Sequence, residues 1–230
     1  MLSAIPNLSA SLVQLKSADI AEWIRSRKKT VVIFVFIEAI ILLLVAIAAF
    51  LRHMRPSVFI ALAVGFTAFG AVVTPAWGSL MSNLVEKDRR GEFFGKRNRL
   101  LGFVTLGATF LAGIILYKMK QINTFYGFAI LFGCAFLWRI IGWLFLVKMH
   151  EPPIAYSKEG YFSFFKFLSH FKNSNFAKFT VFVALLSFSV NIASPYFVVL
   201  MLKDLNFSYL LYTVLIIAAA ITRQVTMGRW

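Results

Sequence analysis

Two ionisable residues stand where water should be scarce. Glu38 follows Lys29 by nine residues inside the apolar run Val31–Leu51, and Arg139 precedes Lys148 by nine inside the run Thr124–Val147. At 1.5 Å of rise per helical residue, each lies roughly 13 Å beyond the nearest basic boundary, so the two share a depth. An isolated charge in apolar surroundings is costly, which leaves mutual pairing or a polar cavity as the arrangements that relieve it. The chemistry open to them is a structural ion pair or a site that takes up and releases a proton. Two stripes of small, polar and aromatic groups accompany them. Thr67, Gly70, Thr74 and Trp77 recur at i, i+3, i+7 and i+10, and Ser187, Asn191 and Ser194 at i, i+4 and i+7, followed by Pro195 and Tyr196. On a helix each set falls along one face. Such a face either meets a polar solute or lets helices pack closely through small residues. The Asn191 amide in particular needs a hydrogen-bond partner in hydrocarbon.

These residues sit in an unusual chain. Of its 230 residues 60% are hydrophobic and only 14% charged, with 26 Phe and 5 Trp, and its mean hydropathy is +0.80. Soluble domains run near 45–50% apolar and about 25% charged, so too few polar side chains exist to cover a water-facing exterior. The exterior must be lipid, and the fold class an all-α, polytopic transmembrane helical bundle. Runs of spanning length occur at Val31–Leu51, Ser57–Asn83, Leu100–Met119, Thr124–Val147 and Phe176–Leu202. Tyr209–Met227 is a sixth, shortened by Arg223 and Gln224. The opening stretch Leu2–Leu15 is too short and polar to cross alone and reads as the end of a helix, which suggests a truncated chain. Alternating the spans puts eighteen of the 24 Lys and Arg on one side and five on the other, with Arg139 inside a span. The positive-inside rule assigns the basic side to the cytoplasm of a multi-pass cell-membrane protein.

A net charge of +15 would suggest nucleic acid in a soluble protein. Here the cations fall in connections between apolar runs, where they meet lipid headgroups, so no nucleic-acid partner is expected. Lone Cys134 gives neither a disulfide framework nor a cysteine metal cluster. His53, His150 and His170 lack the spacing of metal chemistry, and no Gly-rich phosphate loop is present. No cofactor, no metal and no enzymatic activity are expected. The longest connection opens with Pro152 and Pro153, and within it Tyr161, Phe164, Phe165, Leu168 and Phe171 follow helical spacing, which suits an amphipathic helix on the membrane surface.

The basic connections are specific. The stretch Pro75-Ala-Trp-Gly-Ser-Leu-Met-Ser-Asn-Leu-Val-Glu-Lys-Asp-Arg-Arg-Gly-Glu-Phe-Phe-Gly-Lys-Arg-Asn-Arg99, with its core Asp88-Arg-Arg-Gly91 and Phe94-Gly-Lys-Arg97, resembles the connection between the fourth and fifth helices of the major facilitator superfamily. Ile20-Ala-Glu-Trp-Ile-Arg-Ser-Arg-Lys-Lys29 resembles the superfamily's loop between its second and third helices. In that loop Glu22 holds the acidic position and Arg27 and Lys28 the basic pair, while Trp23 replaces the usual Arg and Arg25 the usual Gly. Met227-Gly-Arg-Trp230 is similar to the start of a second copy.

The resemblance implies a partial major facilitator fold, from the end of the second helix to the eighth, of a parent with twelve. It divides the chain into an N-terminal bundle (1–149), a central cytoplasmic linker (150–175) and the start of a C-terminal bundle (176–230). It implies a fragment of a secondary active transporter that moves a small solute by alternating access, with a proton or sodium ion as candidate coupling ion. The alternative is a self-contained six-helix channel or scaffold. Thr67, Thr74, Trp77, Ser187, Asn191, Ser194 and Tyr196 would line the solute pathway. Glu22, Arg27, Asp88, Arg89, Arg90, Gly91 and Arg97, with Glu92, would form cytoplasmic gate loops in which carboxylates and helix ends hold basic side chains. Glu38 and Arg139 would lie on outer scaffold helices, which argues for an ion pair over proton coupling. Gly102, Thr109 and Gly113 would support close packing of the fifth helix.

Overall fold

Over the residues that the computed structural model describes, 4–52, 55–151, 175–207 and 209–226, the chain is helical almost throughout. Helices α1 (Ala4–Gln14), α2 (Ser17–Ile24), α3 (Arg27–Phe50), α4 (Pro56–Leu84), α5 (Arg90–Lys120) and α6 (Thr124–Lys148) lie in one compact unit, Met1–Pro153. Helices α7 (Asn175–Val199) and α8 (Tyr209–Thr226) lie in a second, Ile154–Trp230. The expected amphipathic linker helix and the terminal Met227–Trp230 motif lie outside the described residues.

Local chemistry sets the helix ends. Ser26 is extended, and its hydroxyl accepts from the Lys29 N–H at 2.9 Å, capping α3. Asn123 caps α6 in the same way, accepting from Phe125 N–H at 2.9 Å. Pro56 opens α4, where a missing N–H costs nothing. Within α4, Pro75 removes the N–H that would bond the Ala71 carbonyl one turn back. Arg25 ends α2 in the left-handed region, φ 55°, its N–H donating to Glu22 O at 3.0 Å. Glycine is the residue that takes this conformation without a steric penalty.

Among the described residues five helices are long and apolar enough to cross a membrane: Arg27–Phe50, Pro56–Leu84, Lys87–Met119, Thr124–Lys148 and Asn175–Ala193. The sixth expected span is helical as α8, Tyr209–Thr226. Two boundaries differ from expectation. Ser17–Ile24, read as loop, forms α2, and α5 begins at Arg90 rather than Leu100. Hydropathy marks where the lipid ends, whereas a helix continues into water for as long as its backbone bonds are satisfied.

In the first unit α3 is central, packed on α6 and α4, with α1 along α4. Its buried residues Val31, Val35, Ala39, Ile41, Val45, Ala46 and Ala49 form one stripe, and against it lie Ala76 of α4 and Trp143 and Leu146 of α6. End contacts make neighbours antiparallel. Phe50 at the end of α3 meets Tyr126 at the start of α6, with ring centroids 5.6 Å apart, and a Cβ on Gly127 would meet Leu116 and Met119 of α5 at 3.1 Å. The opposite faces of α5 and α6 are bare: Phe110, Tyr117 and Phe145 are 71–73% exposed, a surface that only hydrocarbon tolerates. Gly113, expected in close packing, has nothing within 4 Å of where a Cβ would stand.

Candidate functional site

A cavity of about 610 Å³ opens between α3, α4, α5 and α6. Val31, Val35 and Glu38 of α3 form one wall, and Phe66, Gly70, Val73, Thr74 and Trp77 of α4 another; Arg97 of α5 and Trp138, Arg139, Gly142 and Leu146 of α6 complete it. The two deep ionisable residues meet here. Arg139 Nη2 donates to Glu38 Oε2, the carboxylate side chain being 3% exposed and the guanidinium 35%. Gly70 makes room for this pair, since a Cβ at that position would stand 2.9 Å from Glu38 Oε1. Arg139 Nε is buried and has no hydrogen-bond partner among the described residues. One turn on, Trp143 Nε1 donates to Val32 O at 3.0 Å and its ring lies 5.2 Å from Phe36, fixing the register of α6 on α3.

The α4 stripe divides in use. Gly70, Thr74 and Trp77 line the cavity. Thr74 Oγ1 donates to Gly70 O at 2.9 Å, and the Arg97 guanidinium lies over the Trp77 ring, 4.1 Å from its centroid. Thr67 does not join the lining; its single hydroxyl proton has three carbonyls within reach, Ala63 O at 3.0 Å and Val64 O at 3.1 Å in its own helix and Pro6 O of α1 at 3.2 Å. In the second unit Ser187, Asn191, Ser194 and Tyr196 all lie on α7. Asn191 Nδ2 donates to Ser187 O at 2.8 Å, so the helix's own backbone satisfies the amide, and Tyr196 is exposed.

At the basic end, where α3 and α5 begin and α4 and α6 finish, the cations bind helix ends more than carboxylates. Arg27 Nη1 donates to Ser79 O of α4 at 3.5 Å, and Arg90 Nε to Val85 O at 3.2 Å. Glu92 pairs with Lys96 within α5. Among the described residues no ion pair involves Glu22, Asp88 or Arg89, and Gly91 has open space where a Cβ would stand. The acidic partner that does cross between elements is Glu151, just beyond α6. Its carboxylate accepts from the Ser26 hydroxyl at 2.6 Å and the Lys28 N–H at 3.1 Å, at the positive end of α3. Its place between the Thr124–Val147 span and Pro152 is the only signal the sequence offers.

The model of the Major Facilitator Superfamily matches residues 1–230. The chain belongs to the Major Facilitator Superfamily. No curated protein and no solved structure matches it. As a superfamily member it is a multi-pass membrane protein of a transporter family that moves small solutes and is not a family of enzymes.

Proposed function

We propose that the chain is part of a secondary transporter working by alternating access, with its basic end in the cytoplasm and the cavity of the first unit forming part of the solute path. One observation carries this reading. A space of about 610 Å³ at membrane depth contains an ion pair, a hydroxyl and an indole, groups that lipid would not solvate. The excess of Lys and Arg at the end where α3 and α5 begin and α4 and α6 finish supports the orientation. Thr74 and Trp77 are the solute contacts of this unit, whereas the hydroxyl of Thr67 is engaged with α1. Ser187, Asn191, Ser194 and Tyr196 are the contacts expected from the second. Arg27 and Arg90, held on carbonyls at the end of α4, and Glu151, on the start of α3, act as the gate that releases as the transporter rocks; Arg97 borders both gate and cavity. The driving force is a proton or sodium gradient, with the Glu38–Arg139 pair as scaffold.

The test needs no knowledge of the solute. Thr74→Cys in a Cys134→Ala background, introduced into the native reading frame, is treated with a membrane-impermeant maleimide from either side of sealed vesicles. Alternating access predicts labelling from both sides. A residue reached from one side alone would favour a fixed channel vestibule or scaffold and refute the proposal.

A further inference from the structure

The cavity is unbalanced in charge. Its lining has two guanidiniums, Arg97 and Arg139, against the single carboxylate of Glu38. Glu38 is committed to Arg139 through Nη2, and Arg139 Nε still lacks an acceptor among the described residues. Arg97 has its face on the Trp77 ring, and its hydrogen bond to a side chain is to the neutral Asn98 amide, at 3.3 Å. A guanidinium held by its face leaves its N–H edge for a planar, doubly accepting anion. Apart from the Thr74 hydroxyl and the indoles of Trp77 and Trp138, the rest of the wall is apolar, with Val31, Val35, Phe66, Val73 and Leu146 beside the two arginines. The volume falls in the range of about 300–1,000 Å³ that encloses small organic ligands.

We propose that the cavity receives a small organic carboxylate, its anionic head drawn to the Arg97 and Arg139 side and its apolar body among the valines and Phe66. This rests on the reading of the cavity as part of the solute path. A cationic solute would add to the positive excess, and a neutral one would leave it uncompensated in a medium that penalises bare charge.

The purified chain in uncharged detergent is titrated with radiolabelled benzoate and hexanoate, with benzylamine and benzyl alcohol as competitors of matched body. Saturable binding of a carboxylate, unmoved by the amine or alcohol, is the expected result. Arg97→Gln weakens it roughly tenfold or more, the scale of a lost hydrogen bond to a charged group, while Lys118→Gln at the opposite end leaves it unchanged. Arg97→Lys, which keeps the charge without the planar fork, binds with an intermediate loss and covers the case in which the Gln variant does not fold. Failure of both carboxylates to bind, equal competition by the amine or alcohol, or full affinity in Arg97→Gln would overturn the assignment. Displacement of benzoate by phosphatidylglycerol would give the charge excess to a lipid headgroup and overturn it too. Two-sided labelling at position 74 without carboxylate binding removes the substrate class alone; carboxylate binding with one-sided labelling removes the transport reading alone.

Discussion

The two single breaks of the Glu38–Arg139 pair should together cost more than removing the pair whole. Loss of one member of a fully buried pair costs about 3–5 kcal/mol, because the other is left charged and unpaired. The two residues are not equally buried, with side chains 3% and 35% exposed, so the costs should differ. Glu38→Gln strands an arginine that still reaches cavity water, which lowers the expected loss to about 2 kcal/mol. Arg139→Gln strands the enclosed carboxylate and should cost about 3 kcal/mol. The double variant leaves no ion and two amides able to bond each other, for about 2 kcal/mol in total, so the coupling is about 3 kcal/mol. Denaturant unfolding in mixed micelles, followed by tryptophan fluorescence, measures all four proteins. Trp143 is a suitable reporter, one turn from Arg139 and bonded to Val32 O. Losses that add within about 0.5 kcal/mol in the double variant would refute the pairing argument. A larger loss in Glu38→Gln than in Arg139→Gln would refute the ordering drawn from burial.

Two further predictions use the same unfolding measurement. Gly70→Ala drives a methyl to 2.9 Å from Glu38 Oε1 and should cost about 1–3 kcal/mol as overpacking; adding Glu38→Asp, whose carboxylate is set further back, should recover part of it, and no loss in Gly70→Ala would show the slot to be loose. Arg25→Gly should stabilise by about 1 kcal/mol, since the residue sits at φ 55° where a side chain is strained, and a destabilised variant would mean that the arginine side chain supplies more than its backbone conformation costs.

The spans of the first unit and the all-helical class were legible because lipid transfer depends on composition, which a sequence states directly. The common depth of Glu38 and Arg139 was legible for a related reason: axial position on a helix follows from counting residues. What lies around the helix axis and between elements was not. Thr67 and Thr74 share a face by periodicity, yet one meets α1 and the other a cavity, because long antiparallel helices change neighbours along their length. Gly70 looked like part of a polar stripe, whereas its role is the room it leaves for a carboxylate on another helix. Glu151 lies 123 residues from Lys28 in the chain, and nothing local marks it as a cap. Motif position points to the gate carboxylates, but an exposed acid such as Glu22 gains little from an ion pair in water. The strain at Arg25 was half visible as a departure from a glycine position; the backbone angle supplied the rest.

The fastenings between α3 and α6 have a mechanical corollary. They run along the length of α3: Glu151 on the α3 cap, the Trp143–Val32 bond five residues into α3, the Glu38–Arg139 pair at mid-height, and Arg52 over the Tyr126 ring, 4.8 Å from its centroid, at the far end. Two rods pinned at top, middle and bottom neither slide nor swivel past each other, so they form a stiff spar.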